Sequence, residues 1–165
     1  MHGKNRYDYS KIPEEFSKKE KVSIICPKHG EFKTMPMVHI SLKSGCPKCS
    51  MSHGEIEVDN ILTKYNIKHV CQYPVKNPYR PNSLFKIDFA FKRNNHLYFI
   101  EFNGRQHYYP VDLFGGEEQF KKQVTRDDDL RKLCERLNIH LLEIKYDCYN
   151  IELEIINFLK TAVSD

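Results

Sequence analysis

The sequence predicts an α/β domain of order α-β-β-β-α-β-α, preceded by a small metal-bound module. Three observations predict it. Two Cys/His pairs with ligand spacing lie before residue 50. Helical and strand periodicities then follow one another from residue 52. The charge also divides: residues 1–50 carry ten Lys and Arg against five Asp and Glu, while residues 51–165 carry sixteen against seventeen. A chain of 165 residues has material for one ordinary core and an accessory piece, so the expected domains are 1–50 and 51–165. With 40% hydrophobic and 12% aromatic residues it is a folding sequence rather than a disordered one. No apolar run approaches a membrane span, and "MHGKNRYDYS" lacks the apolar stretch of a signal peptide. The expectation is a soluble intracellular protein, cytoplasmic, with no membrane partner. The basic front suits a polyanion, although a merely solvated surface would carry similar charge.

In the front module, Cys26 and His29 form C-x2-H in "CPKHG", and Cys46 and Cys49 form C-x2-C in "GCPKC". Neighbouring Pro and Gly allow tight knuckles that present two donors each, so the four residues predict a closed tetrahedral Zn2+ site. The segment between the pairs is expected to supply a hairpin and a helical turn, with His39 as a substitute ligand should His29 not serve. Few large apolar residues occur here, so metal binding is expected to provide much of the stability. Cys71, Cys134 and Cys148, scattered among apolar neighbours, read as core filler.

The first helix is marked by Val58, Ile61, Leu62 and Tyr65 on one face, with Ser52 and Glu55 as a possible capping box. "KHVCQYPV" reads as a strand ended by "NPYRPN"; "LFKIDFAF" and "HLYFIEF" read as a hairpin around "KRNN", apolar on both faces as in a sheet covered by helices on both sides. Residues 115–138 read as a long helix, "IHLLEIKY" as a buried strand, and "IELEIINFLKTAV" as an amphipathic helix with Ile151, Ile155, Leu159 and Ala162 in a stripe.

Asp88 and Glu101 interrupt the two apolar strands of the hairpin. Burying a carboxylate costs several kcal/mol or forces protonation, so two of them on paired strands call for a cation, and a hard divalent ion such as Mg2+ matches oxygen donors. The competing structural reading pairs them with Lys86 or Arg105. His107, just past the second strand in "NGRQHYY" where Gly104 would allow a sharp turn, can serve as a general base. Among three consecutive acids on the long helix, Asp127 falls on the stripe defined by Phe120, Val124, Leu130 and Cys134, which makes it the candidate to orient His107; Asp128 and Asp129 are expected to be solvated.

The residues "IDF", "IEFNGRQHY" and "RDDDLRKLCERLNIHLLEI", in that order of elements, resemble the PD-(D/E)XK nuclease superfamily, in the branch related to very-short-patch mismatch repair endonucleases and EDxHD homing endonucleases. The likeness covers about residues 52–148. The front segment, "HGKNRYDYSKI" with "IICPKHGEF" and "GCPKC", resembles the zinc-ribbon module found before nuclease domains of phage and large-virus proteins. The resemblance implies a PD-(D/E)XK-type core (α-β-β-β-α-β, mixed central sheet flanked by helices) behind a zinc-ribbon module. It also implies a Mg2+-dependent endonuclease acting on double-stranded DNA, of homing or mobile-element type, located at the nucleoid or encoded by a virus or phage. By that resemblance Asp88 ligates the metal, Glu101 is the second acid, His107 is the general base, Asp127 supports it, Glu55 holds metal-bound water or the His, and Gln106 lies near the phosphate. The lysine expected two residues after the second acid is Asn103 here, so the base falls to His107. The basic residue common three positions after the helix Asp is Leu130, with Arg131 and Lys132 adjacent. Lys28, Lys43, Lys48, Arg80, Arg93 and Arg105 are the expected DNA contacts. A binding-only protein on a nuclease fold and an RNA-directed nuclease are the alternatives.

Overall fold

A computed structural model describes residues 6–41 and 44–161, and the chain divides into two compact units, Met1–Ser52 and His53–Asp165. The first holds strands β1 (Val22–Cys26) and β2 (Gly30–Thr34), paired antiparallel from Val22 opposite Thr34 to Cys26 opposite Gly30, and helix α1 (Pro36–Ser41). Val22, Ile24 and Cys26 alternate inward along β1, as a half-buried strand requires, and pack with Tyr7 and Cys46 into a small core. The hairpin turn itself carries the Cys26/His29 knuckle. The sequence reading placed the hairpin between the two knuckles; the difference arises because β1 ends on Cys26 and β2 starts at Gly30, so the first knuckle is itself the turn. Gly30 closes the turn at φ 75°, where a side chain would be strained.

The second unit runs α2 (His53–Lys64), β3 (Val70–Lys76), β4 (Leu84–Arg93), β5 (His96–Asn103), α3 (Gly116–Arg136), β6 (His140–Lys145) and α4 (Ile151–Thr161). Its four strands form one mixed sheet in the order β3-β4-β5-β6: the first two pairings are antiparallel, and β6 lies parallel to β5. The parallel pair needs a long crossover, which α3 supplies. The β4–β5 turn is two residues, Asn94 and Asn95, both left-handed at φ 49° and 65°, the geometry that matches the twist of a hairpin. Asn66 and Asn138, also left-handed, end α2 and α3, and the amides of Ile67 and Ile139 return to the carbonyls of Leu62 and Cys134.

Successive side chains of β5 face opposite sides. Phe99 joins Phe85, Ile87 and Ala90 in a cluster closed by Leu130, Leu133 and Cys134 of α3. On the other side Tyr98 meets Phe158 of α4 edge-on at 5.7 Å, and Phe102 lies against Gly54 of α2. The sheet is therefore covered on both faces. Two side chains depart from the periodic reading. Tyr65 lies beyond the end of α2, 42% exposed, with its hydroxyl on Glu152. Val124, assigned to the buried stripe of α3, is 44% exposed because the helix reaches the core only from Asp127 onward, where Asp127, Asp129, Leu130, Leu133 and Cys134 are buried. Ala162 lies outside the described residues. No helix among the described residues is long and apolar enough to cross a membrane.

Candidate functional site

In the first unit, the sulfurs of Cys26, Cys46 and Cys49 and Nδ1 of His29 converge within 4.8 Å of one another. Cys26 Sγ is 3.6 Å from both His29 Nδ1 and Cys49 Sγ, while His29 Nδ1 lies 3.6 Å from Cys46 and 3.3 Å from Cys49. A tetrahedron with Zn–S of about 2.3 Å and Zn–N of about 2.0 Å has edges of about 3.8 and 3.5 Å, so the four donors already outline the coordination shell of zinc. Burial raises the Cys26 thiol pKa, but backbone amides of Lys28 and His29 turned onto its sulfur outweigh it and hold the thiol below its usual value, favouring the thiolate. His39 is buried elsewhere, between the Tyr9 hydroxyl (3.0 Å) and the Ser44 carbonyl (2.7 Å), so it is a packing residue and not the substitute ligand.

In the second unit the β4–β5 ladder runs from Arg93–His96 down to Phe89–Ile100. Beyond it the acids exchange bonds with the opposite backbone: Asp88 Oδ2 accepts from the Phe102 amide at 2.9 Å, and the Glu101 carboxylate takes the Asp88 amide. Ile87 and Ala90, three apart, both join the cluster under α3, so strict alternation is interrupted between them. Gln72 on β3, at φ 53°, adds its side-chain amide to Asp88 Oδ1 at 3.1 Å. Irregularities of this kind re-aim side chains beside sites.

Glu101 is 8% exposed and, among the described residues, its Oε1 has no hydrogen-bond partner. Burial above all, and then the charge of Asp88, push its pKa up to about 9, against the attraction of Arg126. Burial likewise lifts Asp88 to about 7; Glu55 adds to the rise through its charge and a hydrogen bond, while the Phe102 and Gln72 donors oppose it. Neither acid pairs with Lys86 or Arg105 in the structure. The two carboxyls therefore share one deficit of positive charge. Glu55, Asp88 and Glu101 do not close into a three-donor cluster like that of the cysteines.

His107 ends a single 3-10 turn, Arg105–His107, directly after β5, and its Nδ1 lies 2.9 Å from Asp127 Oδ2 on α3. Gln123, one turn earlier on α3, donates to Asp127 Oδ1 at 2.7 Å and fixes the carboxylate. With Nδ1–H directed at Asp127, the basic nitrogen is Nε2. The charge of Asp127 adds to the rise at Glu101. Gly104 has an ordinary φ of −66°, so the turn does not need glycine conformationally; a Cβ there would meet the tip of the flexible Gln106 side chain at 2.5 Å, which can turn aside. Gln106 lines a cavity of about 150 Å³ with Tyr109, Phe114, Phe120 and Gln123.

Residues 1–50 match the family model described as "Protein of unknown function (DUF723)". "Uncharacterized protein 094L" of Frog virus 3 (isolate Goorha) is 44% identical over 55 residues, which are 32% of this chain and 36% of that protein. "Uncharacterized protein 307L" of Invertebrate iridescent virus 6 is 36% identical over 62 residues, 37% of this chain and 32% of that protein. The chain thus covers about a third of the length of these relatives. No solved structure matches it.

Several other candidate residues prove to be engaged. Arg80 binds Asp129 at 3.2 Å, which buries an acid expected to be solvated; Asp128 is exposed, paired with Lys132. Arg93 donates to the Leu159 carbonyl at 3.0 Å. Arg105 is exposed, 6.0 Å over the Tyr109 ring. Lys28 is exposed, Lys48 half-buried, and Lys43 lies outside the described residues. Asn103 is buried and donates to Glu143, which Arg131 grips with two bonds. Gln72, Gln123 and Arg126 were not found from sequence. Gln123 carried a signal, since it lies one helical turn before Asp127; Gln72 carried none.

Proposed function

We propose that this chain is a Mg2+-dependent DNA endonuclease with a PD-(D/E)XK-type core and a zinc-ribbon front module, of homing or mobile-element type. The observation that carries the reading is the partnerless Oε1 of buried Glu101 beside Asp88 on the adjoining strand. Outside a site for a cation, such a pair is costly. The order β3-β4-β5-β6 with β6 parallel to β5 agrees with the core the resemblance implies, and similarity to two viral proteins fits a mobile or viral gene.

Asp88 and Glu101 would hold the Mg2+, with Glu55 at hydrogen-bond reach of Asp88. When bound, the ion would polarise a phosphate oxygen and acidify a water. His107 Nε2 accepts the proton of the attacking water; Asp127, fixed by Gln123, stabilises the imidazolium that results. Arg126 tempers the charge of Glu101, and exposed Arg105 supplies a phosphate contact near the His. The Cys26/His29/Cys46/Cys49 module, with its basic excess, binds the duplex through phosphates, so affinity falls steeply with salt.

Nicking of supercoiled plasmid in Mg2+ tests the reading. Asp88→Ala and His107→Ala are expected to bind DNA normally while losing cleavage by about 10²-fold or more. Full activity in either variant contradicts the assigned roles. No cleavage by the wild type in any divalent metal leaves a binding-only protein.

A further inference from the structure

We propose that Asp59, His69 and Cys71 form a second metal site, for Zn2+ or a cation with the same taste for mixed O, N and S donors, linking α2 to β3. Asp59 is buried on α2, His69 stands just before β3, and Cys71 lies within it at the edge of the sheet. One oxygen, Asp59 Oδ1, is 2.9 Å from His69 Nε2 and 3.8 Å from Cys71 Sγ, and all three donor atoms fall within 4.8 Å of one another. Tetrahedral zinc sets O···N and S···O edges of about 3.3 and 3.5 Å, so these two edges lie within a few tenths of an ångström of the zinc values, and the third closes as the thiol turns toward the ion.

The tautomer of His69 strengthens the case. Its Nδ1 lies 2.8 Å from the Ile67 carbonyl and must carry a proton to make that contact. In the neutral ring, Nε2 then aims a lone pair at a carboxylate oxygen, two acceptors 2.9 Å apart with side chains only 9% and 12% exposed. A cation between them resolves the conflict, and a ring N–H on a backbone carbonyl is the usual support of a metal-bound imidazole. A protonated ring would satisfy it too, with the Cys71 thiol donating to the same oxygen at 3.8 Å; a cation instead takes all three groups as ligands. Three protein donors leave a fourth position for water, the pattern of an open rather than a closed zinc site. The proposal is independent of the nuclease reading.

Zinc content of the full-length chain tests it, measured by mass spectrometry after equilibration with zinc and removal of the excess. Cys71→Ser and His69→Gln are each expected to carry one equivalent less than wild type, with unchanged far-ultraviolet circular dichroism. The difference is read, so occupancy of the Cys26/His29/Cys46/Cys49 site does not enter. As a second arm, the Cys26→Ser/Cys46→Ser/Cys49→Ser variant loaded with Co2+ should retain a thiolate charge-transfer band that disappears on adding Cys71→Ser. Equal zinc in wild type and both single variants, or no thiolate band in the triple variant, would overturn the site and leave an Asp59–His69 ion pair.

Discussion

Glu101 sets the electrostatics of the second unit. Its carboxyl ordinarily titrates near 4.5 and is lifted to about 9 by burial and by Asp88. Between those values the folded, metal-free protein binds more protons than the unfolded chain, so stability falls as pH rises through that window. Glu101→Gln removes the cause. We expect thermal unfolding without added metal to show a smaller loss from pH 5 to pH 8 in Glu101→Gln than in wild type, with the variant more stable by about 1–3 kcal/mol at pH 8. Parallel melting curves would contradict the assignment. At this scale the sequence was legible where a side chain answers to its own element. Periodicity selected Asp127 over Asp128 because both belong to one helix. The burial of Asp129 was not legible, because its partner Arg80 stands 49 residues away. Nor was Gln72, whose side chain reaches Asp88 across the β3–β4 pair, 16 residues away.

Strand β5 holds the site together at the element scale. It carries Glu101, offers the Phe102 amide to Asp88, and leads into the turn that presents His107. Phe102 in turn rests on α2: a Cβ on Gly54 would lie 2.0 Å from its ring. Gly54→Ala must therefore displace either the helix or the end of β5. We expect a loss of about 1–3 kcal/mol in denaturant unfolding, from overpacking; on the proposed nuclease reading, cleavage would also require more Mg2+, since Asp88 loses its amide donor. Unchanged stability would show that the ring moves freely. The elements themselves were readable in order because their apolar spacing is regular and Asn, Gly and Pro mark their ends. Boundaries drifted where packing decides: α3 is helical over residues that touch no core, which a stripe extrapolated from Leu130 and Cys134 back to Val124 does not reveal.

Two units of different character make up the whole molecule. The core of Met1–Ser52 is Tyr7, Val22, Ile24, Cys26 and Cys46, with Ile12 and Phe32 at its margin, too little apolar surface to hold fifty residues alone. Zinc at the four-donor site would supply the remainder. On chelation, amide hydrogen exchange should accelerate across Val22–Thr34 while the strands β4 and β5 stay protected; equal protection with and without chelator would contradict a folding role for the ion. The four-donor cluster was legible because knuckle spacing is a local code, whereas the hairpin bearing the first knuckle depends on where β1 begins. On the proposed reading, Asp88 and Glu101 form one acidic site, neutralised by protons when no metal is present and by Mg2+ when it binds. Calorimetry of Mg2+ binding at pH 7, in buffers of different ionisation enthalpy, measures the exchange directly. About one proton or more released per ion, and none in Glu101→Gln/Asp88→Asn, is the expected result; binding without proton release, or undiminished binding in that variant, would contradict it.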